Sequence, residues 1–236
     1  MLQGAHIAVV VPAHNEAPLI GQVLSTMPPW VDLVVVVDDA STDCTARIAE
    51  GHRDPRVRVV RHARNCGVGA AIATGYRKAC ALGAEVVAVM AGDAQMDPND
   101  LRALLQPVLD GTADYAKGTR LSHPDISRMP LLRRLGTQAF GWATRIALQM
   151  PSLSDSQCGY TAMSSRAIEQ LDLGGLWPRY GYPNDLLVQL RVRGLRLAEV
   201  QVRPVYGTER SGLRFRHGLV IGFLIARGAW RVRKRK

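Results

Sequence analysis

The first half of the chain alternates short, uniformly apolar runs with segments that carry helix-forming patterns. An apolar run without a polar residue at every second position is typical of a strand that is covered on both faces of its sheet. Strands are predicted at residues 6–11, 33–37, 57–60, 85–90 and 115–117. Their alternation with helices through short connections predicts an α/β fold with a mostly parallel, doubly wound sheet.

Several helix boundaries are marked by residues that suit helix ends. Pro18 and Pro98 fit the first turn of a helix, and Gly83 can end one. Helices are predicted at residues 18–27, 67–81, 98–109, 131–149 and 183–193, with another running from an N-cap within 41–43 to about residue 50. The second half is less regular, with strands near 160–163 and 197–202. We expect one main domain at residues 1–212 and a basic C-terminal segment at 213–236.

Net charge and cysteine spacing narrow the possible functions. The net charge of +10 favours anionic partners such as nucleotides, sugar phosphates, nucleic acid or an acidic membrane surface. Hydrophobic residues make up 47% and charged residues 21%, values of a globular rather than a disordered chain. The four cysteines include no C-x-x-C pair, which suits reduced thiols of a cytoplasmic protein better than a zinc site. We expect neither a signal peptide nor a membrane-spanning helix.

Chemistry is expected after the strands, because ligands of an open parallel sheet bind beyond the carboxyl ends of its strands. The first four predicted strands are followed by PAHNE, DDASTD, RNCGVGAA and AGDAQMD. Carboxylates follow three of these strands, and glycines at the start of a helix follow the other. Carboxylate-rich strand ends in a basic protein indicate a divalent cation bound together with a phosphorylated ligand.

The glycines after the third predicted strand do not form a dinucleotide-binding fingerprint. Gly67 and Gly69 are followed by Ala70, Ala71 and Ile72, so the third glycine of G-x-G-x-x-G is absent. That fingerprint also belongs after the first strand of the sheet. We interpret these glycines as residues that let the helix pack close to the sheet, rather than as phosphate ligands.

Six segments, taken in order, resemble the family 2 glycosyltransferases with the GT-A fold. They are VVVPAHNE, VVVVDDASTD, NCGVGAAIATGYRKA, VMAGDAQMDP, KGTR and DSQCGYTAMS. The resemblance spans roughly residues 5–212 and is greatest to the branch that contains dolichyl- and polyprenyl-phosphate sugar transferases. It implies a Rossmann-like nucleotide-binding half followed by a less regular acceptor-side half.

The resemblance assigns a nucleotide to the first two strand ends. Pro12, His14 and Glu16 match positions that border the nucleotide. Asp38 and Asp39 match an acidic pair that meets the base and the ribose. A carboxylate suits uracil or guanine, because both bases present ring N–H donors.

The resemblance also implies a metal site at the fourth strand end. The family motif is D-x-D, often extended to D-x-D-x-Q, and here Ala91 stands at the first acidic position, Asp93 at the second and Gln95 at the glutamine. Asp93 can face the nucleotide diphosphate, and the two side chains with phosphate oxygens and water can complete an octahedron around Mg²⁺ or Mn²⁺. Because Ala91 contributes no charge, we expect weak metal binding without the nucleotide.

Later motifs are assigned by the resemblance to the acceptor and to catalysis. An arginine at the end of KGTR can reach phosphate as a fixed, always-charged fork, and late arginines match positions that related enzymes bring onto phosphate. The acceptor-side candidates are Asp155, Gln157, Arg203 and Ser211, and the catalytic candidates are Arg120, Arg210 and Asp185.

Asp185 distinguishes two classes of acceptor. Many inverting members of the family place a catalytic aspartate at the start of this helix, usually after a glutamate, whereas Asn184 precedes it here. A sugar hydroxyl acceptor would need Asp185 as a general base to take its proton. A lipid phosphate is already an anion, so Asp185 would instead orient arginines or cap its helix.

The C-terminal segment alternates cationic residues with apolar ones. As a helix it would carry an apolar stripe with basic flanks, which is typical of a helix that lies on an anionic membrane surface. A helix packed on the domain with a solvated basic end is the alternative. The predicted stripe comprises Leu213, Phe215, Leu219, Phe223, Leu224 and Trp230.

The leading hypothesis is an inverting glycosyltransferase, peripheral at the cytoplasmic face of the cell membrane. It would move a hexose from a UDP- or GDP-sugar to a polyprenyl or dolichyl phosphate. Transfer to a sugar hydroxyl, with Asp185 as base, is the alternative within the family. A nucleic-acid-binding protein would leave the acidic strand ends unexplained and lacks a recognised motif, so no nucleic-acid partner is expected.

Overall fold

A computed structural model describes residues 1–205 and 215–234. Within them, seven strands form one sheet in the order β3-β2-β1-β4-β6-β5-β7. The strands are β1 (Ile7–Ala13), β2 (Leu33–Asp38), β3 (Val57–Arg61), β4 (Val86–Val89), β5 (Tyr115–Thr119), β6 (Thr161–Ser164) and β7 (Leu197–Gln201). β6 is antiparallel to both of its neighbours, and the other pairings of the sheet are parallel. The prediction of a mostly parallel α/β sheet is confirmed.

Helices cover both faces of this sheet. They are α1 (Ile20–Ser25), α2 (Thr45–Glu50), α3 (Val68–Ala81), α4 (Leu101–Leu109), α5 (Leu131–Leu148), α6 (Ser165–Glu169), α7 (Tyr182–Arg193) and α8 (Phe215–Arg233). Short 3₁₀ turns occupy Pro98–Asp100 and Pro124–Arg128.

The central strands are uniformly apolar because both of their faces are buried. All seven residues of β1 are buried, and alternate residues enter different hydrophobic clusters. Val10 packs in the cluster that contains Tyr76 of α3. Val9 packs in the other cluster, with Leu24 of α1 and Leu104 of α4. These runs lack polar alternation because both faces of the strands are buried, as the sequence indicates.

Close packing of α3 on the sheet depends on Gly75. A Cβ at this position would lie 2.2 Å from Cγ1 of Val10, a distance that real side chains do not adopt. The interpretation that Gly67 and Gly69 let the helix pack close to the sheet is therefore wrong, because those two glycines face residues 177 and 178 and not the sheet.

The second half contains short elements that periodicity did not predict. α6 has five residues and the turn Pro124–Arg128 is equally short, so neither shows a recognisable apolar repeat. β6 inserts antiparallel between β4 and β5. Its pairing is decided by tertiary contacts and not by its own four residues.

α8 packs against α5 and α7 and presents two apolar faces. Leu224 and Val232 are buried against the domain, whereas Leu219, Phe223 and Trp230 are exposed. The helix packs on the domain, as the alternative interpretation expects, and the residues predicted to form one stripe lie on two of its sides. Leu213 lies outside the described residues, and only the backbone of Phe215 is described. Among the described residues, no helix is both long enough and apolar enough to cross a membrane.

Candidate active site

The loops after β1, β2 and β4 lie side by side at one edge of the sheet. The amide of Asp39 donates to the carbonyl of Ala13 at 2.8 Å, and the amide of Gly92 donates to the carbonyl of Pro12 at 3.1 Å. β1 lies between β2 and β4. The end of β1 therefore joins the acidic pair to the D-x-D-like motif.

Asp39 holds the loop that follows β3. Its Oδ1 accepts hydrogen bonds from the amide of Cys66 at 2.8 Å and contacts Nδ1 of His62 at 2.7 Å, and its Oδ2 accepts from the amide of Gly67 at 2.7 Å. Burial alone would raise the pKa of Asp39, but these hydrogen bonds together hold it below its usual value. Asp39 therefore fixes a wall of the site as an ionised, fully satisfied carboxylate.

Asp38 is placed differently, although it is the adjacent residue. It is fully buried, and its Oδ2 accepts from the amide of Ser41 at 3.3 Å, with Nε of Arg61 at 3.8 Å. Its Oδ1 is buried and has no hydrogen-bond partner among the described residues. A buried carboxylate oxygen without a donor is costly, so this atom is suited to a ligand that brings an N–H group.

The first loop is fixed by the residues that follow β2. Nδ1 of His14 lies 2.9 Å from the carbonyl oxygen of Asp39. A hydrogen bond between these atoms requires the His14 tautomer that carries its proton on Nδ1. The amide of Glu16 donates to Oγ1 of Thr45 at 2.8 Å. Pro12 pairs with Val37 within the sheet. The three first-loop candidates therefore border the same edge as Asp38.

The N-terminus of α3 is covered by a later segment of the chain. The amides of Gly69 and Ala70 donate to the carbonyl of Pro178 at 2.8 and 3.2 Å. A Cβ on Gly67 would lie 2.4 Å from that carbonyl oxygen, and one on Gly69 would lie 2.2 Å from the carbonyl oxygen of Trp177. These glycines therefore admit the 177–178 backbone, and two amides that could have met a phosphate are already used.

The D-x-D-like motif forms a tight turn after β4. Ala94 has a φ of 56°, and Oδ1 of Asp93 accepts from the amide of Gln95 at 3.1 Å. Asp93 also lies near the buried hydroxyl of Tyr182, whose pKa is raised mainly by burial, with a contribution from the Asp93 charge. One carboxylate and one amide oxygen in the same turn are ligand types that Mg²⁺ and Mn²⁺ accept, so the residues fit a metal shared with phosphate.

A second group of possible metal ligands is explained by hydrogen bonding. Ligand atoms of Asp39, His62 and Cys66 all lie within 4.8 Å of one another. The carboxylate already accepts two amides, Nε2 of His62 lies 3.0 Å from Oγ1 of Thr74, and the Cys66 thiol donates to the carbonyl of Arg64 at 3.3 Å. We therefore assign no metal to this group.

The half-buried Arg120 and the buried Asp155 form a bidentate ion pair on the acceptor side. Nε of Arg120 lies 2.8 Å from Oδ2 of Asp155, and the terminal Nη2 lies 3.1 Å from Oδ1. Burial alone would raise the pKa of Asp155, but the Arg120 charge and its hydrogen bonds hold it below the usual value. The guanidinium fork expected to reach phosphate is therefore oriented by Asp155.

Lys117 and Glu199 belong to the same network, and sequence reasoning missed both. Lys117 is fully buried in β5 and donates to the carbonyl of Cys158, and burial lowers its pKa. Glu199 of β7 accepts from the amides of Ser154 at 2.8 Å and Asp155 at 3.0 Å. The sequence signal for both residues was a charged side chain inside a predicted strand, because charged residues are rarely buried without partners.

Gln157 and Asn184 connect the acceptor-side loop to α7. Nε2 of Gln157 donates to Oδ1 of Asn184 at 2.8 Å, and Nδ2 of Asn184 donates to Oγ1 of Thr144 in α5 at 2.8 Å. Asn184 is 1% exposed. It therefore acts as a neutral hydrogen-bonding link where an acidic partner was expected.

Asp185 is buried, and both of its carboxylate oxygens are engaged. Oδ2 accepts from the amide of Trp177 at 2.9 Å, and Oδ1 accepts from Nη2 of Arg227 in α8. The arginine that it orients is therefore Arg227, which the sequence did not single out. Arg203 instead pairs with Asp125 at 3.0 Å. The only sequence signal for Arg227 was its position within the otherwise apolar part of the C-terminal segment.

Two candidate residues cannot be placed. Arg210 and Ser211 lie outside the described residues. Arg203 is held on the side of the 3₁₀ turns, where its amide also donates to Oδ2 of Asp100 at 2.7 Å and a guanidinium nitrogen lies 3.7 Å from Asp97.

The family model of glycosyl transferase family 2 matches residues 8–171, which include the strand ends after β1, β2 and β4. The chain belongs to glycosyl transferase family 2. The predictions of the family and of a glycosyltransferase are confirmed.

Two relatives place the chain more narrowly within this family. The UDP-N-acetylglucosamine–dolichyl-phosphate N-acetylglucosaminyltransferase of Methanococcus voltae is 29% identical over 93% of this chain and 92% of its own length. The undecaprenyl-phosphate mannosyltransferase of Micrococcus luteus is 30% identical over 87% of this chain and 84% of its own length. The resemblance to the dolichyl- and polyprenyl-phosphate branch is therefore confirmed.

Solved structures show the same fold at lower identity. Glucosyl-3-phosphoglycerate synthase from Mycobacterium tuberculosis, in complex with UDP, has a TM-score of 0.72 and 23% identity over 96% of this chain and 81% of its own. Another structure of that enzyme, with Mn²⁺ and UDP-glucose, has a TM-score of 0.68 and 22% identity over 98% of this chain and 79% of its own. The GT-A fold predicted from the sequence is confirmed.

Proposed function

We propose that this glycosyltransferase is an inverting enzyme that moves a hexose from a UDP- or GDP-sugar to a polyprenyl or dolichyl phosphate. The phosphate oxygen of the acceptor attacks the anomeric carbon, and the bond from that carbon to the nucleoside diphosphate breaks. The enzyme acts at the cytoplasmic face of the membrane, where it is peripherally bound. The single observation that carries the acceptor class is the buried, doubly engaged carboxylate of Asp185.

The donor assignment is supported by Asp38. Its Oδ1 is buried without a partner among the described residues, at the edge where three strand-end loops meet. The ring N–H of uracil or guanine can donate to this oxygen, whereas the ring nitrogens of adenine and cytosine can only accept there. A hydrogen bond to a charged group contributes about 1.5–3 kcal/mol, which favours a base that presents a ring N–H to Asp38.

Asp93 and Gln95 would hold the divalent cation, Mg²⁺ or Mn²⁺. When bound, the cation would neutralise charge on the nucleoside diphosphate as it leaves. Ala91 supplies no second carboxylate, so the nucleotide itself must complete the site. The glucosyl-3-phosphoglycerate synthase solved with Mn²⁺ and UDP-glucose agrees with this proposal.

Asp185 favours a phosphate acceptor over a hydroxyl. A general base must come within hydrogen-bonding distance of the proton that it takes. Asp185 is 1% exposed, and its oxygens already accept from Trp177 and Arg227. A polyprenyl phosphate attacks as an anion and needs no base, and the names of the Methanococcus voltae and Micrococcus luteus relatives specify such acceptors.

Basic residues for the acceptor phosphate are proposed on the side of β5 and β7. Arg120 follows β5 and Arg203 follows β7, strands that pair in parallel. Each arginine is oriented by a carboxylate, Asp155 for Arg120 and Asp125 for Arg203. From the sequence alone, Arg210 remains a proposed catalytic residue and Ser211 a proposed acceptor contact.

Membrane association is supported by an apolar surface on α5 and α8. Eleven large apolar side chains of the described residues are exposed, and eight of them lie on these two helices, which indicates an interaction site rather than scattered exposure. The apolar surface comprises Leu131, Leu132, Leu135, Trp142 and Ile146 on α5, and Leu219, Phe223 and Trp230 on α8. Arg145, Arg233 and Lys234 are exposed on the same helices or directly after them, so we assign this surface to an anionic bilayer.

Calorimetric titration with UDP and with GDP, in the presence of Mn²⁺, tests the donor assignment. The wild-type protein should bind at least one of the two. Asp38→Asn should weaken that binding by about 10-fold or more, because a charge-assisted hydrogen bond to the base is lost. Asp110→Asn, on an exposed residue at the end of α4, is the matched control. A wild-type protein that binds neither nucleotide contradicts the donor assignment.

A further inference from the structure

A short segment of the chain lies between α8 and the nucleotide side of the candidate site. We call residues 177–181 the strap. The strap contains an internal hydrogen bond, in which Nε1 of Trp177 donates to the carbonyl of Tyr180 at 3.0 Å. It ends at Gly181, whose φ of 102° turns the chain into α7.

The strap is held by α8 on one side. Arg227 of α8 donates to Asp185, and the other oxygen of Asp185 accepts from the strap amide of Trp177. Gly181 lies close to Leu224, because a Cβ there would be 2.7 Å from Cδ1 of that leucine. α8 thus contacts the strap directly at Gly181 and is linked to it indirectly through the Arg227–Asp185 ion pair.

The strap contacts the nucleotide side on its other face. The carbonyl of Pro178 accepts from the amides of Gly69 and Ala70. Arg179 donates to Oδ1 and to the carbonyl of Asn65 at 3.2 and 3.4 Å. The residues between these two contacts, Cys66 and Gly67, donate their amides to Asp39.

These contacts form a continuous path from α8 to the wall of the nucleotide site. Asp39 stands beside Asp38, and its carbonyl and amide also hold His14 and the end of β1. The hydrogen bonds between Arg179 and Asn65 are exposed, and every other polar link involves at least one buried or half-buried residue. A shift of α8 that releases Asp185 would therefore loosen the strap and, through it, the loop that Asp39 holds.

We propose that Arg227 is a positioning residue for nucleotide binding: through Asp185 and the strap, it couples the docking of α8 to the shape of the nucleotide site. This inference rests on the proposed nucleotide-sugar donor. Coupling between two sites is reciprocal, so nucleotide binding stabilises the docked α8 by the same factor by which docked α8 improves nucleotide binding.

Nucleotide affinities of the full chain, measured without membranes, test the coupling. Arg227→Ala should weaken the binding of UDP or GDP, whichever the wild type binds, by about 5-fold or more, the lower range of typical couplings between sites. Arg227→Lys keeps a cation near Asp185 and should restore most of the affinity. Arg231→Ala removes an exposed charge from the same helix and should leave the affinity unchanged.

Hydrogen exchange on the wild-type protein gives an independent readout, which also decides the matter if Arg227→Ala does not fold. Bound nucleotide should slow amide exchange in α8 as well as at Gly69 and Ala70. Unchanged exchange in α8, wild-type affinity in Arg227→Ala, or an equal loss in Arg231→Ala would each overturn the coupling. A wild type that binds neither nucleotide overturns the donor assignment and this inference with it. Normal wild-type binding with an unaffected Arg227→Ala overturns the coupling alone.

Discussion

Asp38 and Asp39 are adjacent residues whose carboxylates have different tasks. Asp39 uses both oxygens on the loop after β3, and the hydrogen bonds from that loop keep it ionised despite burial. Asp38 has one oxygen without a partner among the described residues. We therefore propose that Asp38 faces the nucleotide, whereas Asp39 holds the loop beside it.

Asp93→Ala should remove the metal dependence of nucleotide binding, because Asp93 is the one aspartate in the D-x-D frame. In calorimetry, the wild type should bind UDP or GDP more tightly with Mn²⁺ than without it, and the variant should bind equally in both conditions. Asp110→Ala serves as the control and should keep the metal effect. Affinity that is the same with and without Mn²⁺ in the wild type would contradict the metal assignment.

Asp185→Asn should leave the pH dependence of kcat as it is in the wild type. The asparagine can still accept from the Trp177 amide, but the ion pair with Arg227 is lost, so the main effect should be a higher KM for the donor. General-base catalysis is typically worth ~10²–10⁴-fold. A pH-dependent fall of about 10³-fold in kcat would instead identify Asp185 as a base and reverse the choice of acceptor.

Single residues were predictable where the strand order alone decides their position. Asp38, Asp39 and Asp93 follow parallel strands, so the sequence could place them at one edge of the sheet. The difference between the contacts of Asp38 and Asp39 was not predictable, because Asp39 accepts from amides that lie 27 and 28 residues further along the chain. Arg227 was not predictable either, because it meets Asp185 across 42 residues.

At the scale of elements, the start of α3 and the strap depend on glycine. Gly69→Ala would place a Cβ 2.2 Å from the carbonyl oxygen of Trp177 and 2.8 Å from Cβ of Tyr182. Overpacking of this kind typically costs about 1–3 kcal/mol of the free energy of unfolding. Gly136→Ala is the control, because it adds a methyl group inside α5 where nothing lies within 4 Å. It should stabilise the protein by about 0.5–1 kcal/mol.

Urea unfolding measures both glycine variants. A lower midpoint for Gly69→Ala and a higher one for Gly136→Ala would agree with the structure. A Gly69→Ala protein as stable as the wild type would show that the strap does not approach α3 as closely as described.

The apolar surface of α5 and α8 predicts binding to anionic vesicles. Trp142→Glu places a charge within this surface and should reduce flotation with phosphatidylglycerol vesicles at low salt. Leu82→Glu, at an exposed site at the end of α3, is the matched control and should float like the wild type. Each cation near the surface contributes about 1 kcal/mol, so added salt should weaken wild-type binding. A wild type that stays in solution at low salt would contradict the membrane proposal.

Elements with burial on both faces or with a long apolar repeat were predicted well. β1, β2 and α3 begin and end within about two residues of the predicted positions, because continuous burial leaves a clear pattern. α6 and the antiparallel place of β6 were missed, since four or five residues carry too little pattern to decide between neighbours. The apolar surface of α5 was missed because a sequence repeat does not reveal which apolar face remains exposed.

At the scale of the whole molecule, the donor half and the acceptor half differ in how far the sequence determines them. The donor half is a set of βα units whose strand order fixes the site. The acceptor half is assembled from α5, α7, α8 and β5 to β7, whose contacts join distant parts of the chain. The family was therefore recognisable from the sequence, whereas the contacts of Asp185 with Trp177 and Arg227 required the structure.

The identity of the acceptor is central to the proposed function, and one paired assay tests it. Labelled UDP- and GDP-sugars are offered with a polyprenyl phosphate and, separately, with the matching polyprenol, which has a hydroxyl in place of the phosphate. We predict transfer to the polyprenyl phosphate from one donor class and no transfer to the polyprenol. Transfer to a polyprenol or to a sugar hydroxyl, with none to the polyprenyl phosphate, would contradict the proposed function.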